Sequence, residues 1–373
     1  MRTADQNISH GKEKNFLTDV WLETLAKRSE AVLLPLGALI VGLLTFGLFL
    51  YFLGKSPFDF YALVYKAGFG TSFSWQNTLS RTAPLLFAAL CVALPARLGL
   101  MVIGGEGAIV LGGVTFGVLA GSVSGLPGII AILLLAIASM LVAGVWIGAV
   151  GLLRHYRGVN ETIASLLMAY IAIALMNHLV EGPFRDPDSL NKPSTAPIAA
   201  HLRIGDIPGW DVHWGLIAGL FCCLISWVLL ERTTFGFAAR IAGGNIRAAQ
   251  VQGLPVGRLI LCFTSLGGAF AGLAGMFEVA AIHGSANASL AAGYGYTGIL
   301  VAFLARQNPI AIIPIAILLA AFEASSGLIQ RRMGLPDATI LVLQGLVFVS
   351  ILLSESLYGR FSIFYPVSQD SKE

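Results

Sequence analysis

The sequence predicts an all-α protein that crosses a membrane with about ten helices (8–10). Hydrophobic residues make up 56% of the chain and charged residues only 12%, whereas a soluble domain carries about 25% charged residues. The mean hydropathy is +0.80. Apolar runs such as Leu33–Leu53 and Gly125–Leu153 reach the roughly 20 residues that a helix needs to cross the hydrocarbon of a bilayer. A large soluble core is the alternative, but it would need far more charged residues to cover its surface.

The predicted spans follow these apolar segments in chain order. Their limits come from the runs without charge and from the polar, Pro-rich or Gly-rich residues that flank them. The spans are 32–53, 77–96, 99–121, 126–153, 161–181, 213–230, 257–281, 293–305, 309–330 and 336–355. The eighth span is short, so it is either a full pass or a half-helix that re-enters the membrane.

The distribution of Arg and Lys predicts the orientation of these spans. Cytoplasmic loops are enriched in Arg and Lys, and with ten spans most of these residues fall on one side. Segments 1–31 and 356–373 are then cytoplasmic, on either side of a transmembrane domain over 32–355 in the inner (plasma) membrane. The proline-rich loop 182–212 is external, and the loop 231–256 is cytoplasmic.

Glycine is frequent and regularly spaced within the predicted spans. The chain has 43 glycines, and Gly113, Gly117 and Gly121 recur every four residues, as do Gly268 and Gly272. Small residues at this spacing let two helix backbones approach closely in lipid. The pattern therefore predicts tight packing of the third and seventh spans against neighbouring helices.

The loop 231–256 contains signals for a short helix with clear ends. Asn245 is a good N-cap, because its side chain can accept hydrogen bonds from free backbone N–H groups of the next turn. Residues 246–252 supply about two turns. Gly253 suits the left-handed conformation that ends a helix, and Pro255 suits the first turn of the next one. The sequence thus predicts a separate short helix between two spans.

The composition of this short helix favours docking to another protein over adsorption to lipid. We expect Ile246, Ala249 and Gly253 on one face, with Arg247 and Gln250 beside them. Small residues permit close contact, and a helix in a groove is a common mode of recognition. A helix that lies on lipid would instead carry Trp, Leu or Phe on one face and Lys on the other.

Five stretches of the chain share a pattern with a known family. They are LGLMVIGGEGAIVLGG (Leu98–Gly113), RGVNETIASLLMAYIA (Arg157–Ala172), EGPFRDP (Glu181–Pro187), TFGFAARIAGGNIRAAQVQGLPVGR (Thr234–Arg258) and GYGYTGILVAFLARQNP (Gly293–Pro309). In this order they resemble permease subunits of ABC importers, over about residues 80–350. The resemblance is to the ribose and branched-chain amino acid type, in the branch that imports nucleosides and simple sugars. It implies a type II ABC importer-like permease fold.

The resemblance also implies a function and partners. It implies an ATP-driven importer subunit for a small solute: a nucleoside, a nucleobase-like compound or a simple sugar, with a branched-chain amino acid or another small metabolite as alternatives. The implied partners are two cytoplasmic ABC ATPase subunits, an identical or related second permease, an extracytoplasmic solute-binding protein and membrane lipid. Because ATP hydrolysis belongs to a partner, the chain is expected to be no enzyme and to need no cofactor or metal. The residues implied in coupling to the ATPase are Arg240, Asn245, Arg247, Gln250 and Gly253.

Candidates for the translocation pathway are polar or aromatic residues within apolar spans. Glu106 and Glu278 are costly in lipid, so each must face the bundle interior, pair with another group or be protonated. A structural hydrogen bond to nearby backbone is the alternative role for Glu106. No basic residue lies three or four positions from Glu278, the spacing at which residues pair on an α-helix. Aromatic faces suit a base or sugar ring, although such residues also anchor proteins at the membrane interface. The aromatic candidates are Tyr170, Phe277, Tyr294 and Tyr296.

Functions other than ATP-driven import would require different things of these residues. A secondary transporter driven by an ion gradient needs ion ligands within the membrane, for which Glu106 and Glu278 are the candidates. A membrane-embedded enzyme needs paired catalytic groups, and we expect His178 and His283 to lie near span ends without such partners. The scattered Arg and Lys residues and a net charge of +3 argue against nucleic acid as a partner.

Overall fold

The computed structural model describes residues 33–34, 36–189 and 192–357. The predicted N-terminal segment 1–31 and residues 358–373 of the predicted tail lie outside this part of the chain. Within the described residues the regular structure is helical, with thirteen α-helices and no β-strand.

The two ends of the described chain belong to one of two compact units. Its helices are α1 (Leu36–Phe52) and α13 (Ala338–Leu357). The two helices are in direct contact, because a Cβ atom on Gly42 would come within 2.8 Å of the Cα atom of Val347. Phe46 of α1 is fully buried.

The second unit, Phe60–Pro336, contains most of the remaining helices. The helices between α1 and α13 are α2 (Pro57–Phe69), α3 (Ser72–Ala96), α4 (Gly105–Leu119), α5 (Gly128–Arg157), α6 (Glu161–Glu181), α7 (Gly215–Arg232), α8 (Thr234–Gly244), α9 (Ile246–Val251), α10 (Val256–Phe277), α11 (Tyr294–Leu304) and α12 (Pro309–Met333). A π-helical turn, Glu278–His283, follows α10. The loop predicted to be external contains a 3₁₀ turn at Ala200–Leu202 and is otherwise irregular in its described residues.

Ten of the helices in the described residues coincide with the ten predicted spans, so the predicted all-α membrane architecture is confirmed. These helices are α1, α3 to α7 and α10 to α13. Seven of them are long and apolar enough to cross a membrane, and α1, α11 and α13 are shorter apolar helices. The eighth predicted span is α11, whose 11 residues are fewer than the roughly 20 that a full crossing needs.

Two spans begin five or more residues away from the predicted position. α3 begins at Ser72 rather than at residue 77, because Thr71 Oγ1 caps it by accepting a backbone N–H of the first turn at 3.1 Å. α4 begins at Gly105 rather than at residue 99. The backbone before α4 bonds instead to α6, where the N–H of Ile103 donates to Ser165 Oγ at 3.0 Å.

The sequence prediction missed α2. This 13-residue helix has Asp59 in its first turn and Lys66 in its last, as the helix dipole favours. It buries Phe60 and Val64, which lie on one face because they are four positions apart. A helix this short, with two charged residues, contains no apolar run of membrane length. Hydropathy therefore does not identify it.

Glycines bring α4, α5 and α10 into backbone contact. A Cβ atom on Gly272 of α10 would collide with the carbonyl oxygen of Ser139 on α5. A Cβ atom on Gly275 would collide in the same way with the carbonyl oxygen of Ile109 on α4. The predicted tight packing is confirmed for these glycines, but it is wrong for Gly121, around which no atom lies within 4 Å of an added Cβ.

We expect Gly272→Ala to destabilise the protein by about 1–3 kcal/mol, because the added methyl group meets rigid backbone rather than a movable side chain. The midpoint of thermal unfolding of the purified protein in detergent should fall accordingly. Gly327→Ala on α12 is the matched control, because a Cβ atom there has no neighbour within 4 Å. That change should be neutral or stabilising by up to about 1 kcal/mol, since Ala is the better helix former. Equal losses in both variants would contradict the packing argument.

Candidate functional site

The loop predicted to be cytoplasmic folds into α8 and α9. Asn245 caps α9, with its Oδ1 accepting the N–H of Ala248 at 3.0 Å. Gly253 has a φ of +76°, in the left-handed region that glycine adopts without strain. The chain can therefore turn sharply and begin α10 at Val256. The predicted short helix and both of its boundary signals are confirmed, and its role in docking stays a prediction.

The exposed surface of α9 differs from the predicted one. The prediction that Ala249 lies on the docking face is wrong, because its side chain is fully buried; the small methyl group lets the helix lie close to the bundle. The exposed apolar residues are Ile246, at 40%, and Val251, at 88%. Arg247 and Gln250 are exposed beside them. We call Ile246, Arg247, Gln250 and Val251 the α9 face.

A shared carboxylate fixes α8 to the ends of α3 and α7. Glu231 Oε1 lies 3.0 Å from Nη2 of Arg97, and Glu231 Oε2 lies 2.6 Å from Nη2 of Arg240. Arg240, a predicted coupling residue, is therefore bonded within its own chain. Charge-assisted bonds to one carboxylate restrict both guanidinium groups, so this cluster holds α8 in place at the root of α9.

Glu106 holds the beginning of α11 against α4. Its carboxylate oxygens accept the backbone N–H groups of Gly293 at 2.7 Å and Gly295 at 2.6 Å, and its side chain is 1% exposed. These N–H groups lie at the positive end of a helix, where a carboxylate is stabilised. The structural hydrogen bond to backbone, the alternative role for Glu106, is thus confirmed. A place in the translocation pathway stays a prediction.

Glu278 lies in the π-helical turn after α10. A π turn brings together residues five positions apart, and Glu278 Oε2 lies 3.4 Å from Nε2 of His283. The expectation that His283 has no partner is therefore wrong, because the α-helical pairing rule considers only spacings of three and four. The other oxygen, Glu278 Oε1, is buried and receives no hydrogen bond from the described residues.

Arg81, Glu278 and Tyr294 form what we call the inner polar cluster. Tyr294 is 8% exposed and lies within electrostatic range of four charged side chains, which are Glu278, Glu323, Arg81 and Glu106. Arg81 lies about 14 Å along α3 from its first residue, Ser72, at 1.5 Å per residue. Its Nε atom is buried without a hydrogen-bond partner among the described residues. Three elements, α3, the π turn and α11, thus bring polar groups together inside the bundle.

Stacked rings lie next to this cluster. The ring of Phe277 stacks on Phe87 at 5.6 Å between centroids and on His213 at 6.3 Å. His213 Nδ1 accepts the N–H of Gly215 at 3.2 Å, so its proton is on Nε2, which lies 3.3 Å from the carbonyl oxygen of Ser80. The imidazole is therefore held in one orientation against Phe277.

The structure separates the predicted pathway candidates into two groups. Phe277, Glu278 and Tyr294 lie in or beside the inner polar cluster, and Glu106 is within electrostatic range of Glu278. Tyr170 and Tyr296 are instead 58% and 37% exposed on the surface of the chain. Tyr296 lies within electrostatic range of Glu106 as well as of Tyr170, so Glu106 is near members of both groups.

Sequence reasoning missed four residues of these sites. Arg81 lies only four residues inside the predicted span 77–96, because that predicted span begins five residues later than α3. Glu231 and His213 show their contacts only in three dimensions. Val251 follows Gln250 in the short helix, and its apolar character in a polar loop was the signal that could have identified it.

The fold and these sites define a class of protein, a polytopic α-helical membrane protein with a short exposed helix between two spans and with buried polar groups. A family model described as "Branched-chain amino acid transport system / permease component" matches residues 74–352. The chain therefore belongs to this family of permease components.

Similar proteins of known name agree with this assignment. The chain is 32% identical over 342 residues to the glucose ABC transporter permease protein TsgB13 of Haloferax volcanii, covering 89% of this chain and 88% of the relative. It is 28% identical over 349 residues to the guanosine ABC transporter permease protein NupP of Bacillus subtilis, covering 89% and 96%. It is 25% identical over 272 residues to the probable riboflavin import permease protein RfuC of Treponema pallidum, covering 70% and 71%. The chain is thus a multi-pass permease subunit of an ABC importer, and the resemblance seen in its sequence is confirmed.

We expect Glu106→Gln to lower the midpoint of thermal unfolding of the purified permease. A glutamine offers one acceptor oxygen to two N–H donors, and a buried donor without a partner costs about 1–3 kcal/mol. Glu181→Gln at the exposed end of α6 removes the same charge without a buried contact and is the control. Unfolding midpoints that agree for the two variants would show that Glu106 does not hold α11.

Proposed function

We propose that this permease lines a solute pathway together with a second permease, and that two cytoplasmic ABC ATPase subunits drive it through the α9 face. In this arrangement α8, α9 and both termini are cytoplasmic. The opposite side receives a solute-binding protein. ATP hydrolysis takes place in the partner subunits, while this chain converts their movement into exposure of the pathway.

The observation that carries the proposal is the construction of the α9 face. Isolated helices shorter than about 12–15 residues are marginal in water, and α9 has only six. The Asn245 cap, the buried Ala249 and the left-handed Gly253 hold it in place. A helix fixed so firmly, with Val251 almost fully exposed, is suited to a partner's groove.

Basic residues support the proposed orientation. The ends of α3, α5 and α7 and the beginning of α10 carry arginines on the side of the bundle where α8 and α9 lie, as the enrichment of basic residues in cytoplasmic loops requires. These residues are Arg97, Arg154, Arg157, Arg232 and Arg258, and α9 itself carries Arg247.

The proposed movement begins at α9 and continues into α10. Gly253 is followed directly by α10, which is in backbone contact with α4 and α5 through its glycines. When the two ATPase subunits bind ATP and close, they would shift α9. Helices α4, α5 and α10 would then rock between inward-open and outward-open states. ATP and solute can shift this equilibrium only by as much as their affinities for the two states differ.

The names of the relatives support a small cyclic solute. They are named for glucose, guanosine and riboflavin, which all present hydroxyl or ring N–H groups. A nucleoside, a nucleobase-like compound or a simple sugar is therefore the proposed cargo, delivered by the solute-binding protein.

We expect Val251→Asp to weaken binding of the ATPase subunits at least about tenfold, because a charge is desolvated at the centre of an interface. Arg247→Glu should act in the same direction. Binding is measured by titrating fluorescently labelled ATPase onto the permease in nanodiscs, and uptake by the complete importer is measured in proteoliposomes.

Val159→Asp is the matched control for this test. Val159 is also an exposed valine (38%) in a loop, between α5 and α6, but it lies outside the α9 face. Its replacement should leave ATPase affinity within about twofold of the parental value. Parental affinity and uptake in both Val251→Asp and Arg247→Glu would refute the docking role of α9.

A further inference from the structure

A groove of about 320 Å³ opens on the surface between the last two turns of α5 and the beginning of α10. We call it the α5–α10 groove. Its volume is within the roughly 300–1,000 Å³ that is usual for sites of small molecules. Gln250 is the one residue of the α9 face that lines it, so the groove is a separate surface that adjoins the α9 face.

The polarity of the groove changes in the same direction along both helices. On α5, Leu152 lines the groove one turn before His155 and Tyr156, and on α10 Leu261 lines it one turn after Arg258. Helix α5 ends at the groove and α10 begins there. Both leucines therefore lie about 4.5 Å deeper along the bundle than the polar residues, at 1.5 Å per residue. The groove has an apolar inner part and a polar mouth.

The length of α5 places this change of polarity at the edge of the hydrocarbon. Its 30 residues extend about 45 Å, whereas the hydrocarbon core of a bilayer is about 30 Å thick. The last turn of α5 therefore reaches the headgroup layer, where tyrosines such as Tyr156, 74% exposed, are favoured. Leu152, 39% exposed, lies one turn deeper and faces the acyl chains.

The polar wall of the groove is held between the two helices. A Cβ atom on Gly257 of α10 would collide with the imidazole of His155, so this ring packs directly on the backbone of α10. The ring of Tyr156 stands edge-on to the imidazole, with 4.8 Å between the ring centroids. The histidine is thus fixed at the mouth of the groove before any ligand binds.

The groove carries positive charge that is not compensated within the described residues. Arg258 and His155 line it, and none of its lining residues is an Asp or a Glu. In the described part of the chain, Arg258 forms no ion pair. The neighbouring Arg154, by contrast, is paired with Glu161 at 3.3 Å. An anion is therefore the complementary ligand for the mouth of the groove.

We propose that the α5–α10 groove binds an anionic glycerophospholipid of the surrounding membrane. Arg258 and His155 donate hydrogen bonds to the phosphate, Gln250 contacts the rest of the headgroup, and an acyl chain packs along Leu152 and Leu261. Basic pockets between transmembrane helices are known to recognise anionic headgroups in this way. The inference goes beyond the proposed function, because it requires neither ATP nor a transported solute.

Both parts of the groove are needed for this choice of ligand. A free phosphate ion would satisfy Arg258 but leave the leucines uncovered. A phospholipid with a neutral headgroup would cover Leu152 and Leu261 but leave the charge of Arg258 without a counterpart. Only a ligand with a net negative headgroup and an acyl chain matches the mouth and the inner part together.

The test measures lipid binding to the purified full-length permease, delipidated in detergent, by native mass spectrometry. The permease is titrated with dioleoylphosphatidylglycerol, with dioleoylphosphatidylcholine, which has the same chains but no net charge, and with glycerol 3-phosphate, which has no chains. We expect the apparent Kd for phosphatidylglycerol to be at least about fivefold lower than for phosphatidylcholine. Glycerol 3-phosphate should not bind at these concentrations.

Two variants test the mouth and the inner part separately, and both change exposed residues, so folding should be preserved. Arg258→Gln should raise the apparent Kd for phosphatidylglycerol about fivefold, the effect of one basic residue at an anionic surface, and leave that for phosphatidylcholine unchanged. Leu152→Asn should raise the Kd for both lipids about threefold to tenfold, because apolar contact is lost. Arg157→Gln is the control, since Arg157 is exposed at the same end of α5 but does not line the groove. Its Kd values should stay within about twofold of parental.

Each alternative occupant gives its own result. Equal parental affinities for the two lipids, or an unchanged affinity for phosphatidylglycerol in Arg258→Gln, would overturn the lipid site. Binding of glycerol 3-phosphate as tight as that of the lipid would identify a site for soluble anions instead. A Leu152→Asn variant that changes from dimer to monomer in the same spectra would identify a second permease copy as the occupant. Loss of ATPase binding in Arg258→Gln without loss of lipid binding would identify the ATPase. None of these lipid measurements involves Val251, so they leave the proposed function to its own test.

Discussion

Close backbone contact of α10 with α4 and α5 is the constraint on which the rest of the structure depends. Within a bilayer no hydrophobic force pulls helices together, so they associate through tight packing of small residues. Glycines on α10 leave no room for a Cβ atom, as at Gly272 and Gly275. At 22 residues and 1.5 Å per residue, α10 is about 33 Å long, close to the thickness of the hydrocarbon core. It therefore joins the α9 face at one end to the π turn at the other.

Two glutamates show how the fold treats charge in this packed interior. Glu106 and the beginning of α11 satisfy each other, since a carboxylate receives two N–H groups that no side chain of α11 caps. Glu278 has one oxygen against His283 and one without a partner among the described residues. An unpaired buried oxygen costs stability, and real proteins accept such costs at functional sites.

The surface helix α9 is stabilised by the residues that support it. A helix as short as α9 would not be stable as an isolated peptide. In the protein its position is fixed by the Asn245 cap, by the buried methyl group of Ala249 and by the ion pairs of Glu231 with Arg97 and Arg240. These supporting residues make α9 rigid, and its exposed side chains are available to a partner. A surface built in this way can transmit force, because movement of the helix must be shared by the elements that hold it.

The sequence by itself determined the elements whose causes are local. Ten apolar segments predicted ten helices, because the cost of exposing polar backbone to lipid acts within each segment. Asn245 and Gly253 predicted the ends of α9, because caps and left-handed turns involve only adjacent residues. The short α2 was missed, since it lacks the length that makes hydropathy informative.

Only the tertiary structure decided which polar groups meet. The bond between Glu106 and Gly293 joins residues 187 positions apart, and no periodicity along the chain reports such a contact. The pairing of Glu278 with His283 needed the π turn, which a rule written for α-helices does not consider. The burial of Ala249 depended on how α9 lies against the bundle. These features arise from packing between distant segments. The sequence therefore identified candidate residues but did not show which of them lie together.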